Sequence, residues 1–310
     1  MLYLSENMEF RLKNTAVSLG KFDGVHLGHR LLIERIIKEK SRGLQAVVFT
    51  FSLHPMSLFS DKELELIDTE KEKIEKLEQL GVDVLISYPF TKETAATEPE
   101  DFVRNILVKQ LDVKVIVVGS DYRFGKKRKG DVNLLQKMSE ECGYELVVYD
   151  KLQIDQHIVG STLIRTEIAM GNMEFVEKLL GEPYRIEGEV VYGKQIGRTI
   201  DVPTVNQVAP KNKLIPPNGV YTSRIHIDDA IYYGVTNVGY KPTVTDEKVH
   251  GIETHIFDFE GDLYGEVITV ELLHYQRGER KFTSLTELKQ QIQTDVEDAK
   301  SYVTQRELMK

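Results

Sequence analysis

The sequence predicts an α/β chain of two domains: a parallel sheet flanked by helices over residues 1–183, then a small antiparallel β-barrel with a closing helix over residues 184–310. Three observations predict it. The 310 residues are about two domains' worth at roughly 150 residues each. In the first half, short apolar runs alternate with amphipathic ones, the pattern of βαβ units. From Tyr184 the apolar period changes to two, and Gly, Pro and Asn separate the runs.

Taken in order, Ala16–Phe22, Ala46–Ser52, Val82–Ser87, Val113–Gly119 and Tyr144–Asp150 read as strands. Between them, Leu32, Ile33, Ile36 and Ile37 mark a helix by their spacing. Thr69 with Glu72 makes a capping box ahead of Ile74, Leu77 and Leu80, and Gly81 ends that helix. Pro99 opens another before Phe102, Val103, Ile106 and Leu107, and Asp131 caps one carrying Leu134, Leu135 and Met138. A helical stretch after Gly160 stops at Gly181 and Pro183, which places the boundary there. Beyond it, Tyr184–Tyr192, Val220–Ile227, Ile231–Val238, Ile252–Phe259 and Val267–Tyr275 are strands with no helices between them, as in a small barrel or sandwich. Leu285, Leu288, Ile292, Val296 and Ala299 form the apolar stripe of one last helix.

Composition narrows the function. Hydrophobic residues at 41% and charged residues at 29% are the balance of a chain with a buried core, which excludes wholesale disorder. Forty basic against 49 acidic residues leave a net charge of −9, a poor match to nucleic acid, whose phosphates ask for a basic surface. The single cysteine, Cys142, forms no intramolecular disulfide and fits a reducing compartment. No apolar run approaches the roughly 20 residues of a membrane span, and Met1–Arg11 lacks a signal pattern. The expected setting is cytoplasmic, with small molecules as partners, no nucleic acid and no membrane, and with weak self-association left open.

The strongest local signal runs from Gly20 to His29, GKFDGVHLGH. It leaves a strand, turns through Gly24 and Gly28 and opens a helix. Two imidazoles three residues apart at a helix start share its free N–H groups and positive dipole end. That suits a triphosphate, with His26 and His29 stabilising charge that develops on the α-phosphate. An H-x-x-H pair alone is equally a metal site or a pair of capping histidines; the glycines and the strand–turn–helix context favour the anion. Thr50–Pro55 and Gly119–Gly125 also fall at strand ends, where parallel sheets bind ligands. The second runs into Lys126-Lys127-Arg128-Lys129, either a solvated loop or a phosphate-facing one. Ser161, Thr162 and Arg165 offer hydroxyls and a forked guanidinium to a polyphosphate, although Ser161 or Thr162 also reads as an N-cap.

In the second half, Gly188–Arg198 is a strand ending in a glycine-rich turn, by itself an ordinary hairpin signal. Thr204 and Asn206, two apart on an extended segment, point to one side and carry oxygens suited to Mg²⁺. Period-two alternation puts Glu253, His255, Phe257 and Phe259 on one face. A carboxylate among aromatics is either a paired core residue or a base.

The collinear patterns G-x-F-D-G-V-H-x-G-H, T-F-x-x-H-P, G-x-D-x-R-F-G and S-T-x-I-R resemble the prokaryotic bifunctional riboflavin kinase/FAD synthetase family. The P-T-x-N segment, the Glu253 strand, Asp258–Gly265 and Gln276–Phe282 extend the resemblance through nearly the whole chain. It implies a Rossmann-like nucleotidyltransferase domain followed by a riboflavin-kinase-type barrel. The implied reactions are phosphorylation of riboflavin to FMN and adenylylation of FMN to FAD, with ATP as co-substrate, Mg²⁺ bound and pyrophosphate released in the second. The resemblance implies catalytic roles for His26, His29 and Arg165, and makes Glu253 the base that takes the riboflavin 5′-hydroxyl proton. Nucleotide binding falls to Gly20, Phe22, Asp23, Gly28, Ser161 and Thr162 in the first half and to Gly193, Gly197 and Arg198 in the second. Flavin contacts fall to His54, Pro55, Asp121, Arg123, Phe124 and Arg277, and Mg²⁺ to Thr204 and Asn206.

Two other readings stay open: a nucleotidyltransferase for a different metabolite with a non-catalytic flavin-binding barrel, and a non-enzymatic flavin-binding protein. Intact His26, His29, Thr204, Asn206 and Glu253 count against the second. The family's G-F-P-T-A-N stands here as Asp201-Val202-Pro203-Thr204-Val205-Asn206, and Asp201 is expected to weaken ATP binding in the kinase half. Leu53 and Gly160 are smaller departures.

Overall fold

The computed structural model describes residues 1–5, 8–52, 65–193, 202–241 and 249–308. The chain divides into two compact units, Met1–Ser161 and Thr162–Lys310.

The first unit is built on a six-stranded sheet of β1 (Leu2–Ser5), β2 (Thr15–Leu19), β3 (Gln45–Phe51), β4 (Val84–Tyr88), β5 (Val113–Gly119) and β6 (Glu145–Tyr149). Its spatial order is β1-β4-β3-β2-β5-β6 and every pairing is parallel. Each residue of β2 and β4 is buried, as expected where helices cover both faces of a parallel sheet. Alternation then sorts the strands into two cores. Val17, Leu19, Val47 and Phe49 meet Phe102, Val103, Ile106 and Leu107 on one face. Ala16, Ala46, Val48 and Val115 meet Leu32, Ile33 and Ile36 of α1 (Leu27–Lys38) on the other. The five expected strands are present, and β1 is a sixth, a four-residue half-exposed edge.

The helices start and stop where the sequence signals said. Thr69 and Glu72 form the capping box of α2 (Glu70–Gln79), Pro99 opens α3 (Pro99–Asp101) and its π-helical continuation Phe102–Val108, and Asp131 caps α4 (Val132–Cys142). Strands β7 (Gln153–Ile154) and β8 (His157–Ile158) add a small hairpin. The chain runs β2 to β3 to β4 in one direction, then returns to place β5 on the other side of β2. The carboxyl end of β2 therefore lies at the topological switch point, where such sheets bind ligands.

The second unit carries α5 (Ser161–Met170, less its first residue), α6 (Met173–Leu180), six antiparallel strands and α7 (Leu285–Leu308). The strands are β9 (Tyr184–Val191), β10 (Val205–Val208), β11 (Gly219–Ile227), β12 (Ala230–Lys241), β13 (Val249–Ile256) and β14 (Val267–Gly278), closed in the order β10-β13-β12-β11-β14-β9. The compact unit thus begins ahead of residue 183. Gly181 does end α6, with φ 79°, but α6 buries Met173, Val176, Leu179 and Leu180 and packs on β9 and β14. The sequence period marks where helices give way to strands, and the packing groups those last helices with the barrel.

Strand β10 was not expected as a strand, and its four residues close the barrel. The strand expected over Ile252–Phe259 stops at Ile256, and Asp258 turns the chain with φ 54°. Only Glu253 and His255 therefore share the expected strand face. Phe257 packs beside Val220, Val235 and the Ala299 of α7, and Phe259 meets Tyr232 edge-on.

Candidate active sites

The turn after β2 is held in unusual backbone. Phe22 has φ 50°, Gly24 86° and Val25 34°. A β-branched residue at positive φ is a genuine outlier, and such strain persists only where surroundings fix it. They do so here. Asp23 Oδ1 accepts from the Ile67 N–H at 3.0 Å, and Ser161 Oγ donates to the Asp23 carbonyl at 3.0 Å. Thr50 Oγ1 donates to the Lys21 carbonyl at 3.1 Å, and Arg30 Nε to that of Val25 at 3.3 Å. A Cβ on Gly24 would stand 2.9 Å from Ile67 Cγ2, so both conformation and space ask for glycine there.

This turn presents the two histidines. His26 is the N-cap of α1, and its Nδ1 accepts from the His29 N–H at 3.2 Å. An accepting Nδ1 puts the proton of the neutral ring on Nε2. The two rings stack at 3.6 Å and 16°, with Phe22 5.0 Å from His29. A Cβ on Gly28 would lie 3.2 Å from His26 Nδ1, so this glycine leaves room for the ring. Burial lowers the His26 pKa to about 4, and burial with the neighbouring His26 holds His29 well below the ordinary value. Both rings are neutral at pH 7. The capping role left open from the sequence holds for His26. It does not account for His29, whose buried Nδ1 has no hydrogen-bond partner among the described residues. No group of three or more His, Cys, Asp or Glu able to hold a metal occurs among the described residues.

Gly20, Phe22, Asp23, Gly28 and Ser161 belong to the turn or brace it, the ring of Phe22 being fully buried. Asp121 pairs with Lys151 at 2.8 Å and Arg123 with Asp131 at 2.6 Å. Phe124, expected at a flavin, is 6% exposed, with its ring 5.7 Å from that of Phe102 and stacked on Tyr122. Gly130 leaves the space for its ring, since a Cβ there would lie 2.8 Å from it. In the basic run, Lys126 pairs with Glu98 at 2.6 Å, while Lys127 and Arg128 are exposed at φ 53° and 58°. Thr162 and Arg165 are the second and fifth residues of α5, in the second unit, whereas Ser161 belongs to the first. His54, Pro55, Gly197, Arg198, Asp201 and Leu53 lie outside the described residues.

Strand register assembles the second site. Directly opposed residues share a face, and Asn206 opposes Glu253, Glu253 opposes Asn237, Asn237 opposes Val220, and Val220 opposes Arg277. One row thus crosses β10, β13, β12, β11 and β14. The α7 residue Ala299 packs against Val220 on that face. Thr204 Oγ1 donates to Glu253 Oε1 at 2.6 Å, and His255 Nδ1 lies 2.9 Å from the Pro203 carbonyl. These contacts pin the P-T-x-N segment beside the carboxylate. A Cβ on Gly193 would lie 2.5 Å from Asn206 Nδ2, so this glycine allows the asparagine its place. Arg277 is gripped by the buried Asp295 of α7, Nε to Oδ1 at 2.8 Å and NH2 to Oδ2 at 2.5 Å. Asn237 and Asp295 were not singled out from sequence. Only knowledge of the register could have found the first, and Asp295 reads as one more polar residue on a surface helix.

Residues 9–163 match the family model described as FAD synthetase, and residues 180–303 match the one described as riboflavin kinase. The chain is 35% identical over 294 residues to the bifunctional riboflavin kinase/FMN adenylyltransferase of Haemophilus influenzae, covering 94% of this chain and 95% of that protein. It is 37% identical over 289 residues to that of Escherichia coli, covering 92% of each. The crystal structure of a macrolide-efflux protein from Streptococcus pneumoniae superposes with a TM-score of 0.87 at 30% identity, covering 95% of this chain and 97% of that one. That name is the other protein's; here, among the described residues, no helix is long and apolar enough to cross a membrane. With both halves matched and the relatives covered almost end to end, the chain belongs to the family of bifunctional riboflavin kinase/FMN adenylyltransferases, enzymes of flavin cofactor biosynthesis.

Proposed function

We propose that the two activities divide at the two sites: FMN adenylyltransferase chemistry at the His26–His29 turn, within a domain over residues 1–183, and riboflavin kinase chemistry on the Glu253 row, within residues 184–310. The observation that carries the division is that the second site holds a carboxylate fixed by a hydroxyl, whereas the helix start of the first presents neutral imidazoles.

In adenylyl transfer a phosphate oxygen of FMN attacks the α-phosphorus of ATP, the bond to the leaving oxygen breaks and pyrophosphate departs. The nucleophile is already an anion, so no base is needed; positioning and charge stabilisation supply most of the barrier reduction. His26 Nε2–H and the free N–H groups of α1 are the donors for the developing charge. Ser161, whose Oγ holds the Asp23 carbonyl, serves the polyphosphate in this reading. In the kinase step Glu253 takes the proton of the riboflavin 5′-hydroxyl while its oxygen attacks the γ-phosphorus and ADP leaves. The Thr204 hydroxyl keeps Glu253 oriented, and Arg277 serves the flavin.

Thr204 and Asn206 offer hard oxygens beside that carboxylate, a set that fits Mg²⁺, which is held by few protein ligands and by substrate phosphates rather than by a closed protein cage. When bound, Mg²⁺ screens phosphate charge. With ATP as co-substrate of both steps, we place the enzyme in the cytoplasm. Incubating the purified chain with riboflavin and Mg-ATP and separating the flavins tests the reading: FMN followed by FAD is expected. Conversion of supplied FMN alone would leave a single-activity transferase with a binding barrel, and no conversion of either flavin would leave a binding protein.

A further inference from the structure

Asn237 stands next to Glu253 on the row that crosses the barrel, and the protein's own bonding leaves its amide over. The two residues oppose each other directly on β12 and β13, which puts their Cβ atoms about 5 Å apart. Glu253 is held by the Thr204 hydroxyl at 2.6 Å. The Asn237 side chain, half-buried, makes no hydrogen bond among the described residues. It carries two N–H donors and a carbonyl acceptor.

The surroundings leave that amide to a ligand. Two residues on along β12, on the same face, comes Gly239, and it opposes Gly251 of β13. The two strands thus put no side chain at that end of the Asn237–Glu253 pair. A Cβ on Gly239 would collide with Glu279 Oε1 and lie 3.5 Å from Asn237 Nδ2, so the glycine admits a carboxylate beside the amide. Two residues back, Val235 joins Val220, Phe257 and the Ala299 of α7 in an apolar cluster. Asn237 therefore lies where an apolar wall gives way to polar groups.

The geometry of phosphoryl transfer says which ligand comes to this place. The attacking and leaving oxygens stand roughly in line, on opposite sides of the γ-phosphorus. Asn206 opposes Glu253 from β10, and Thr204 just precedes that strand; both face the phosphates in the reading given above. Asn237 opposes Glu253 from β12, the other neighbour of β13. With ADP leaving on the β10 side, the body of the attacking alcohol extends over β12. Next to the reacting carbon of riboflavin stand three carbons that each bear a hydroxyl.

We propose that Asn237 recognises the ribityl chain of riboflavin, its amide exchanging hydrogen bonds with the hydroxyls next to the one that is phosphorylated. The proposal rests on reading the Glu253 row as the kinase site. A hydroxyl both donates and accepts, as the amide does, so the pairing satisfies both. An alcohol lacking those hydroxyls would cover the amide and leave it unpaired, which is how a polar site rejects an analogue.

The test gives the full chain Mg-ATP and two alcohols: riboflavin, and an analogue with a 5-hydroxypentyl side chain, which keeps the terminal hydroxyl and lacks the other three. The wild type should favour riboflavin in kcat/KM by about tenfold to a hundredfold, the worth of one or two hydrogen bonds. Asn237→Leu keeps the bulk and removes the donors and the acceptor. It should cost riboflavin about tenfold in kcat/KM, mostly through KM, and leave the analogue within about twofold, so that the preference shrinks. The KM for ATP and FAD formation from supplied FMN should not change. An undiminished preference in Asn237→Leu overturns the proposal. So does an equal loss for both alcohols, the mark of a displaced Glu253, and so does a rise in the KM for ATP with the preference intact. If Asn237→Leu lowers the unfolding midpoint, Asn237→Ala, which adds no bulk, is read by the same ratio. A wild type that phosphorylates neither alcohol overturns the kinase reading itself, a result distinct from all of these.

Discussion

His26 is 6% exposed and caps a helix on a turn with two non-glycine residues at positive φ, whereas Glu253 is half-buried in mid-strand on ordinary extended backbone. Under the proposed division of activities, the difference follows the protons. A phosphate nucleophile arrives ionised, so the first site needs only donors that do not themselves ionise, and desolvation supplies them by lowering both imidazole pKa values. An alcohol nucleophile must lose a proton, so the second site needs a carboxylate that the substrate can reach. Strain and burial build the one; strand register builds the other.

The comparison breaks first at the histidines. Replacing His26 and His29 together by Ala should lower FAD formation by more than about a hundredfold, the scale of lost transition-state electrostatics, and leave FMN formation intact. Parallel loss of both activities would mean one shared site or a misfolded chain. Glu253→Gln is the converse. It keeps the acceptor for Thr204 and removes the base, so FMN formation should fall about a hundredfold while supplied FMN still becomes FAD. An unchanged kinase rate would make Glu253 a structural partner of Thr204.

A pH experiment sharpens the contrast. His26 is held at about 4 against an ordinary 6.5 because it is buried. Between those values the unfolded chain takes up a proton that the folded chain refuses, so stability falls as the pH drops through that window and is unaffected by this group above it. His26→Asn keeps a capping acceptor and removes the titration. Between pH 7 and pH 5 the variant should lose about 2 kcal/mol less stability than the wild type, read from urea unfolding at each pH. Equal losses would mean that folding does not withdraw His26 from protonation.

Much of this was legible in the chain. Local signals held where the chemistry is local: the Thr69–Glu72 box, the Asp131 cap and the Gly181 stop are all in place. Short or tertiary features escaped. Strands β1 and β10 have four residues each, too few for a period to show. Positive φ at Val25 runs against the preference of a β-branched residue, so no composition rule announces it. The packing of Phe124 among buried residues is a placement its G-x-D-x-R-F-G pattern does not announce. Asn237 reaches the Glu253 row only through register, and Asp295 looks like an ordinary polar residue of an amphipathic helix until its pairing with Arg277 is known.

Arg277 yields the smallest and most specific expectation. Its Nε and NH2 lie on Asp295, and its NH1 donates to the Gly278 carbonyl at 3.0 Å. Every nitrogen is thus engaged by protein, and what remains to offer a ligand is the guanidinium plane, which stacks on aromatic rings. Arg277 stands three strands from Glu253 in the row, half-way round the closed six-stranded barrel. Arg277→Lys keeps the charge and loses the plane, so the KM for riboflavin should rise about tenfold, the worth of a good stacking or cation–π contact, with kcat less affected and FAD formation from FMN unchanged. Asp295→Asn loosens the plane without removing it and should raise the same KM only severalfold. If neither variant moves that KM while both lower the unfolding midpoint, the pair is a strap that fastens α7 to the barrel, and the flavin ring is held elsewhere.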